Sequence, residues 1–179
     1  MTRNLLKNPS GEEQLEFWEL TENGGSQWKV EDMPGDCGHD FCNDGVTKYF
    51  ATSFELCLKR QVIDLLDEGY SGEQLDAQPT VSVEDWYCGR TDCGCTYQMT
   101  VCLLDDNHEV IQEYKPDPVT LDPDSDDCSW KQVRREGEMN SLNIQRLVLE
   151  YRGTLRSERS QFIISSFVVN GKDNFSLET

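Results

Sequence analysis

Alternation of apolar and polar residues with a period of two recurs along this chain, the pattern of strands with one face turned inward. It is clearest where Tyr97, Met99, Val101 and Leu103 interleave with Gln98, Thr100 and Cys102. Val81 and Val83 alternate with Ser82 and Glu84, Leu147 and Leu149 lead to Tyr151, and Phe162 and Ile164 repeat the pattern near the C-terminus. Phe54, Leu56 and Leu58 share one parity, with Glu55, Cys57 and Lys59 on the other. On that parity Phe54 reads as a core residue. Shorter candidates span Glu109–Tyr114, Val119–Leu121 and Trp130–Arg134. Turn-forming clusters separate many of these runs, as at residues 105–109, 115–118 and 122–127. One short helix is expected around Glu68–Leu75, weakened by Gly69 and Gly72. The first ~45 residues lack a repeat and are expected to form an irregular segment, packed on the sheets through Phe17, Trp18 and Trp28. Many short strands with turns between them predict an all-β, antiparallel sandwich or barrel.

Composition narrows the function. The chain has 179 residues, 36% of them hydrophobic, enough for a packed core. Its 16 basic and 34 acidic residues give a net charge of −18, which repels phosphate backbones and argues against nucleic acid as a partner. No run approaches the ~20 apolar residues of a membrane span, and the N-terminus lacks the apolar stretch of a secretory signal. The expectation is one acidic, cytoplasmic domain over residues 3–179.

Eight cysteines raise the question of metal. Cys37, His39 and Cys42 share one loop, and Cys88, Cys93 and Cys95 another, but no C-x-x-C pair occurs. Reduced, packed thiols are the expectation, with no metal and no cofactor. Asp122, Asp124 and Asp126 open like a calcium loop, yet Asp127 stands where the loop needs glycine and Val133 where it needs a bidentate glutamate. The Asn174-Phe175-Ser176 sequon is read as a turn. The two histidines, His39 and His108, lie in no nucleophile motif, and no Walker or G-x-S-x-G signature is present. A non-catalytic binding module is the expectation, although carboxylate pairs among the 34 acids leave acid–base chemistry open.

Several longer strings resemble the F-box-associated domain, in order and spacing, from residue 3 to about residue 153. They are Asn4-Leu5-Leu6-Lys7-Asn8-Pro9 with Gly11-Glu12-Glu13, Gly24-Gly25, Trp28-Lys29-Val30-Glu31 and Pro34-Gly35. Next come Lys48-Tyr49-Phe50-Ala51-Thr52-Ser53-Phe54-Glu55, Val62-Ile63-Asp64-Leu65 and Glu68-Gly69-Tyr70. Asp85-Trp86-Tyr87 and Gly89-Arg90-Thr91-Asp92 complete the set. The likeness is strongest to the glycoprotein-recognising branch. It implies a sandwich of about ten strands, of jelly-roll or galactose-binding-like type, with one or two short helices. It also implies a substrate-binding role: family members hold retrotranslocated N-glycoproteins by the inner chitobiose, for ubiquitination and endoplasmic-reticulum-associated degradation.

Two departures qualify what the resemblance implies. The family motif begins at Asn4, close behind Met1, so the chain is expected to be either an excised domain or one of the members that lack an F-box, like the non-specific cytotoxic cell receptor protein. The Skp adaptor of the SCF ligase is an expected partner only if the full-length protein carries an F-box. The second departure concerns the sugar pocket. In the family an aromatic residue of the Ser-Phe-Glu string, here Phe54, lies beside a Tyr-Trp-Lys loop, which by register falls on Arg159, Ser160 and Gln161. The implied carbohydrate-binding residues are therefore Phe54, Arg159, Ser160 and Gln161, with both stacking rings of the loop replaced. Losing an aromatic anchor costs ~2 kcal/mol or more. Weakened glycan binding is expected, with glycan-independent protein binding as the alternative and a carbohydrate-active enzyme as a more distant one.

Overall fold

The computed structural model describes residues 3–34, 41–125, 127–139, 144–155 and 160–170. Two antiparallel sheets face each other. The first has the order β1 (Glu19–Asn23), β4 (Cys57–Asp64), β10 (Arg146–Leu155), β6 (Cys95–Leu104) and β7 (Val110–Tyr114), with the short β8 (Val119–Leu121) also paired to β6. The second runs β2 (Lys29–Asp32), β3 (Lys48–Thr52), β11 (Ser160–Asn170), β5 (Thr80–Tyr87) and β9 (Lys131–Glu138). One helical turn, α1 (Gly72–Asp76), sits in the connection from β4 to β5. The all-β antiparallel architecture expected from the alternation is the architecture found. Among the described residues no helix is long and apolar enough to cross a membrane.

The core forms where the predicted inward positions meet. Tyr97, Met99, Val101 and Leu103 of β6 are buried against Val81, Val83 and Tyr87 of β5. The rings of Tyr87 and Tyr97 stack at 4.2 Å between centroids. Beneath them Asp85 is buried, accepting bonds from the Tyr97 hydroxyl and from the Trp86 backbone N–H (2.9 Å). The outer face of the second sheet is covered in part. Phe41, in the connection from β2 to β3, meets Trp86 and Trp130 edge-on at 5.2 and 5.6 Å.

Three expectations need correction. The inward face of β4 is Cys57, Lys59, Gln61 and Ile63, the opposite of the parity read through Leu56 and Leu58, and Phe54 is exposed. The physical reason is that residues 53–56 form the crossing between sheets, so Phe54 precedes the strand and does not share its phase. Lys59 enters the core because its ammonium lies over the rings of Phe50 (3.1 Å) and Trp18 (3.8 Å), with Trp28 at 5.4 Å. Secondly, residues 1–45 are not wholly irregular, since they supply the edge strands β1 and β2. The segment around them buries Leu5, Leu6, Trp18 and Trp28, with the Trp18 indole donating to the Asn8 carbonyl at 2.9 Å. Thirdly, the helix begins at Gly72 instead of Glu68. Ser71 caps it, its hydroxyl accepting from Gln74 N (3.2 Å) while the Gln74 side chain accepts from Ser71 N (2.8 Å).

Candidate functional site

β3 ends at Thr52 beside Ser160 of β11, and β5 ends at Tyr87 beside Phe162. The connections that leave these strands therefore gather at one end of the sandwich. Two of them cross between the sheets side by side and in opposite directions: residues 24–28 carry the chain from β1 to β2, and residues 53–56 carry it from β3 to β4.

The two crossings are bonded together along their length. Gly24 N donates to the Leu56 carbonyl (3.1 Å), Gly25 N to a Glu55 carboxylate oxygen (3.0 Å), and Ser26 N to the Ser53 hydroxyl (2.5 Å). The first crossing is closed on itself by Gln27 N donating to Gly24 O (2.9 Å) and Trp28 N donating to Asn23 Oδ1 (2.7 Å). Gly25 has φ +58°, and a Cβ there would run into the Ser53 hydroxyl and come within 3.0 Å of the Phe54 ring. Only glycine allows this approach. The Phe54 ring is thus backed by Gly25 while 39% of the residue faces solvent. Thr52 and Ser53 beside it are buried.

The sequence-derived site residues come together in part. Ser160 pairs with Thr52 and Gln161 with Ala51, so the start of β11 stands beside the strand that delivers Phe54. Arg159 lies outside the described residues. The residues that hold Phe54, namely Gly25, Ser53 and Glu55, were not marked as site residues from sequence. Their signal was the Gly24-Gly25 pair, which matches the need for a close backbone approach.

The rest of this end is rigidly built. Arg90 grips Asp92 with two bonds of 2.8 Å, and the Arg90 carbonyl accepts from the Cys128 thiol at 2.9 Å. The Arg90 fork holds the Asp92 carboxyl down at about 2. Cys57 is buried below the crossings, its thiol pushed up by burial. Among the described residues no three His, Cys, Asp or Glu side chains are grouped to hold a metal ion; Cys37 and His39 lie outside them. What the arrangement offers is an exposed aromatic face on a fixed loop, with Glu55 already engaged by a backbone amide. It suits stacking against an apolar ring face.

A family model described as the F-box associated region matches residues 1–135. F-box only protein 2 of Bos taurus is 52% identical over 133 residues, which are 73% of this chain and 45% of that protein. F-box only protein 44 of Homo sapiens is 48% identical over 132 residues, 73% of this chain and 51% of that protein. The chain spans about half the length of these curated relatives. Among solved structures, TmCBM61 in complex with β-1,4-galactotriose shares the fold, with a TM-score of 0.57 at 16% identity, covering 95% of this chain and 99% of that one. By the match over residues 1–135 and the F-box only relatives, the chain belongs to the F-box-associated family.

Proposed function

We propose that this chain is a non-catalytic substrate-recognition domain that holds N-glycoproteins by the inner chitobiose of the glycan. The observation that carries the reading is Phe54, an aromatic ring kept exposed on a loop locked by three bonds from the neighbouring crossing. A pyranose has an apolar C–H face that stacks on such a ring and hydroxyls that need directed polar partners. Phe54 supplies the first, and Arg159, Ser160 and Gln161, polar by residue type, would serve the second. A preformed platform loses little conformational entropy on binding, which favours even a small site. Family membership supports the wider role. Joined to an F-box, the domain would present cytosolic glycoproteins to the Skp adaptor and its SCF ligase, for ubiquitination and endoplasmic-reticulum-associated degradation.

The test is titration with chitobiose and with a denatured high-mannose glycoprotein, using the deglycosylated protein as control. Glycan-dependent binding is expected. Phe54→Ala should weaken it about 30-fold or more, from the loss of ~2 kcal/mol. The variant's stability loss should stay well below the ~3–5 kcal/mol of a buried phenylalanine truncation. Placing Tyr, Trp and Lys at positions 159–161 should strengthen binding. A second reading, recognition of protein without sugar, is favoured by the replacement of both loop aromatics. Equal capture of the glycosylated and deglycosylated protein would establish it and overturn the first.

A further inference from the structure

Among the described residues the sandwich is open along one side, between β9, the last strand of the second sheet, and β7, the last strand of the first. A slot enters the interior there, split by a clasp in which Arg135 Nε donates to the Tyr114 hydroxyl at 2.6 Å, with the guanidinium 5.2 Å from that ring. Each half has a volume of about 280 Å³. One half is floored by Val81, Val83, Val101 and Leu103, all buried core residues.

This half exists because of Gly137. In the β5–β9 register Gly137 pairs with Val81 and Arg135 with Val83, so both belong to the inward-facing set of β9. Arg135 reaches across and closes its part of the gap. Gly137 has no side chain to do so, and a Cβ placed on it meets nothing within 4 Å. An inward charge on an edge strand guards against unwanted pairing. Arg135 meets that need alone, and guarding does not explain an apolar cavity beside it.

Charge says what fits. Lys131, Arg134 and Arg135 place three of the chain's 16 basic residues within five positions of one edge, in a protein of net charge −18. Their salt bridges run to exposed neighbours, Lys131 to Asp127 at 3.4 Å and Arg134 to Glu136 at 2.5 Å. Carboxylates of a partner can exchange with such exposed pairs at small cost. A strand laid beside β9 would extend the second sheet over the first, and its inward side chains would enter the slot. Every strand pair in both sheets is antiparallel. Run the same way, an added strand passes Gly137 first and the cationic half of β9 afterwards.

We propose that the β9 edge docks an extended peptide of a partner protein, with an apolar side chain seated over Gly137 and acidic residues following it along Arg135, Arg134 and Lys131. This site is independent of Phe54 and of the sugar reading. The experiment is fluorescence anisotropy with the unmodified protein and a short labelled peptide in which a leucine–valine pair is followed by alternating glutamates and valines. Saturable binding is expected, with affinity at least ~10-fold lower for the same peptide carrying lysine in place of glutamate or N-methylated on its backbone. Gly137→Leu, which fills the cavity, should abolish binding without lowering the melting temperature, and chitobiose titration should be unaffected. Absence of saturable binding, or binding indifferent to N-methylation and to Gly137→Leu, overturns the proposal. So does a dimer in sedimentation that Gly137→Leu disperses, because the edge then belongs to a second copy.

Discussion

Lys59 is 3% exposed and rests on Phe50 and Trp18, with the carboxylate of Asp85 as the opposing charge. Burial outweighs the attraction of Asp85 and pushes the Lys59 ammonium well below the usual lysine range. Lys59→Met removes that net penalty and should leave stability at neutral pH unchanged or raised, while Lys59→Met with Asp85→Asn also removes the carboxylate left without its opposing charge. The pH dependence has a defined sign. A lysine with a depressed folded pKa binds fewer protons folded than unfolded, from that folded value up to ~10.4. Its contribution to stability rises with pH across this window. Denaturant unfolding should show the parent gaining stability relative to the double variant as pH rises towards 10; parallel profiles would contradict the assignment. The same residue explains a limit of the sequence: lysine reads as polar, so the alternation of β4 took the wrong phase. Only the aromatic cage, assembled from residues 18, 28 and 50, makes that position interior.

At the scale of elements, the two sheet crossings act as one unit, and Gly25 is its pivot. A side chain there must adopt φ +58° and displace Ser53 or Phe54. Gly25→Val should lower stability by ~1–3 kcal/mol through strain and overpacking, and should abolish chitobiose binding by moving the Phe54 loop. A variant as stable as the parent and equally able to bind would show that the crossings do not position the ring. Elements were legible in the sequence where burial on one face imposed alternation, as in β6 and at Val81 and Val83. They were less legible at the edges. β2 has only half-buried and exposed positions, so no periodicity marks it. The Ser71–Gln74 capping box was visible in the residues and would have set the helix start better than the apolar pattern did.

For the whole molecule, alternation specified the all-β class but not the order of strands. Neighbours such as β3 and β11 are more than 100 residues apart, and pairing at that distance leaves no local trace. The candidate site has the same character. Phe54 was found through the resemblance, while its own parity pointed into the core. Exposure came from the crossing in which it sits, a property of two sheets and not of one strand. The gathering of Phe54 and the start of β11 at one end follows from the β3–β11 register.

The proposed sugar site lies at this end of the sandwich, on Phe54. Its most direct test is a chitobiose titration followed by backbone amide resonances of the isotope-labelled domain. Saturable shifts are expected, concentrated at Gly24–Ser26, Ser53–Glu55 and Ser160–Gln161 and lost in Phe54→Ala. Unchanged resonances at saturating sugar, or shifts that centre elsewhere and survive Phe54→Ala, would contradict it.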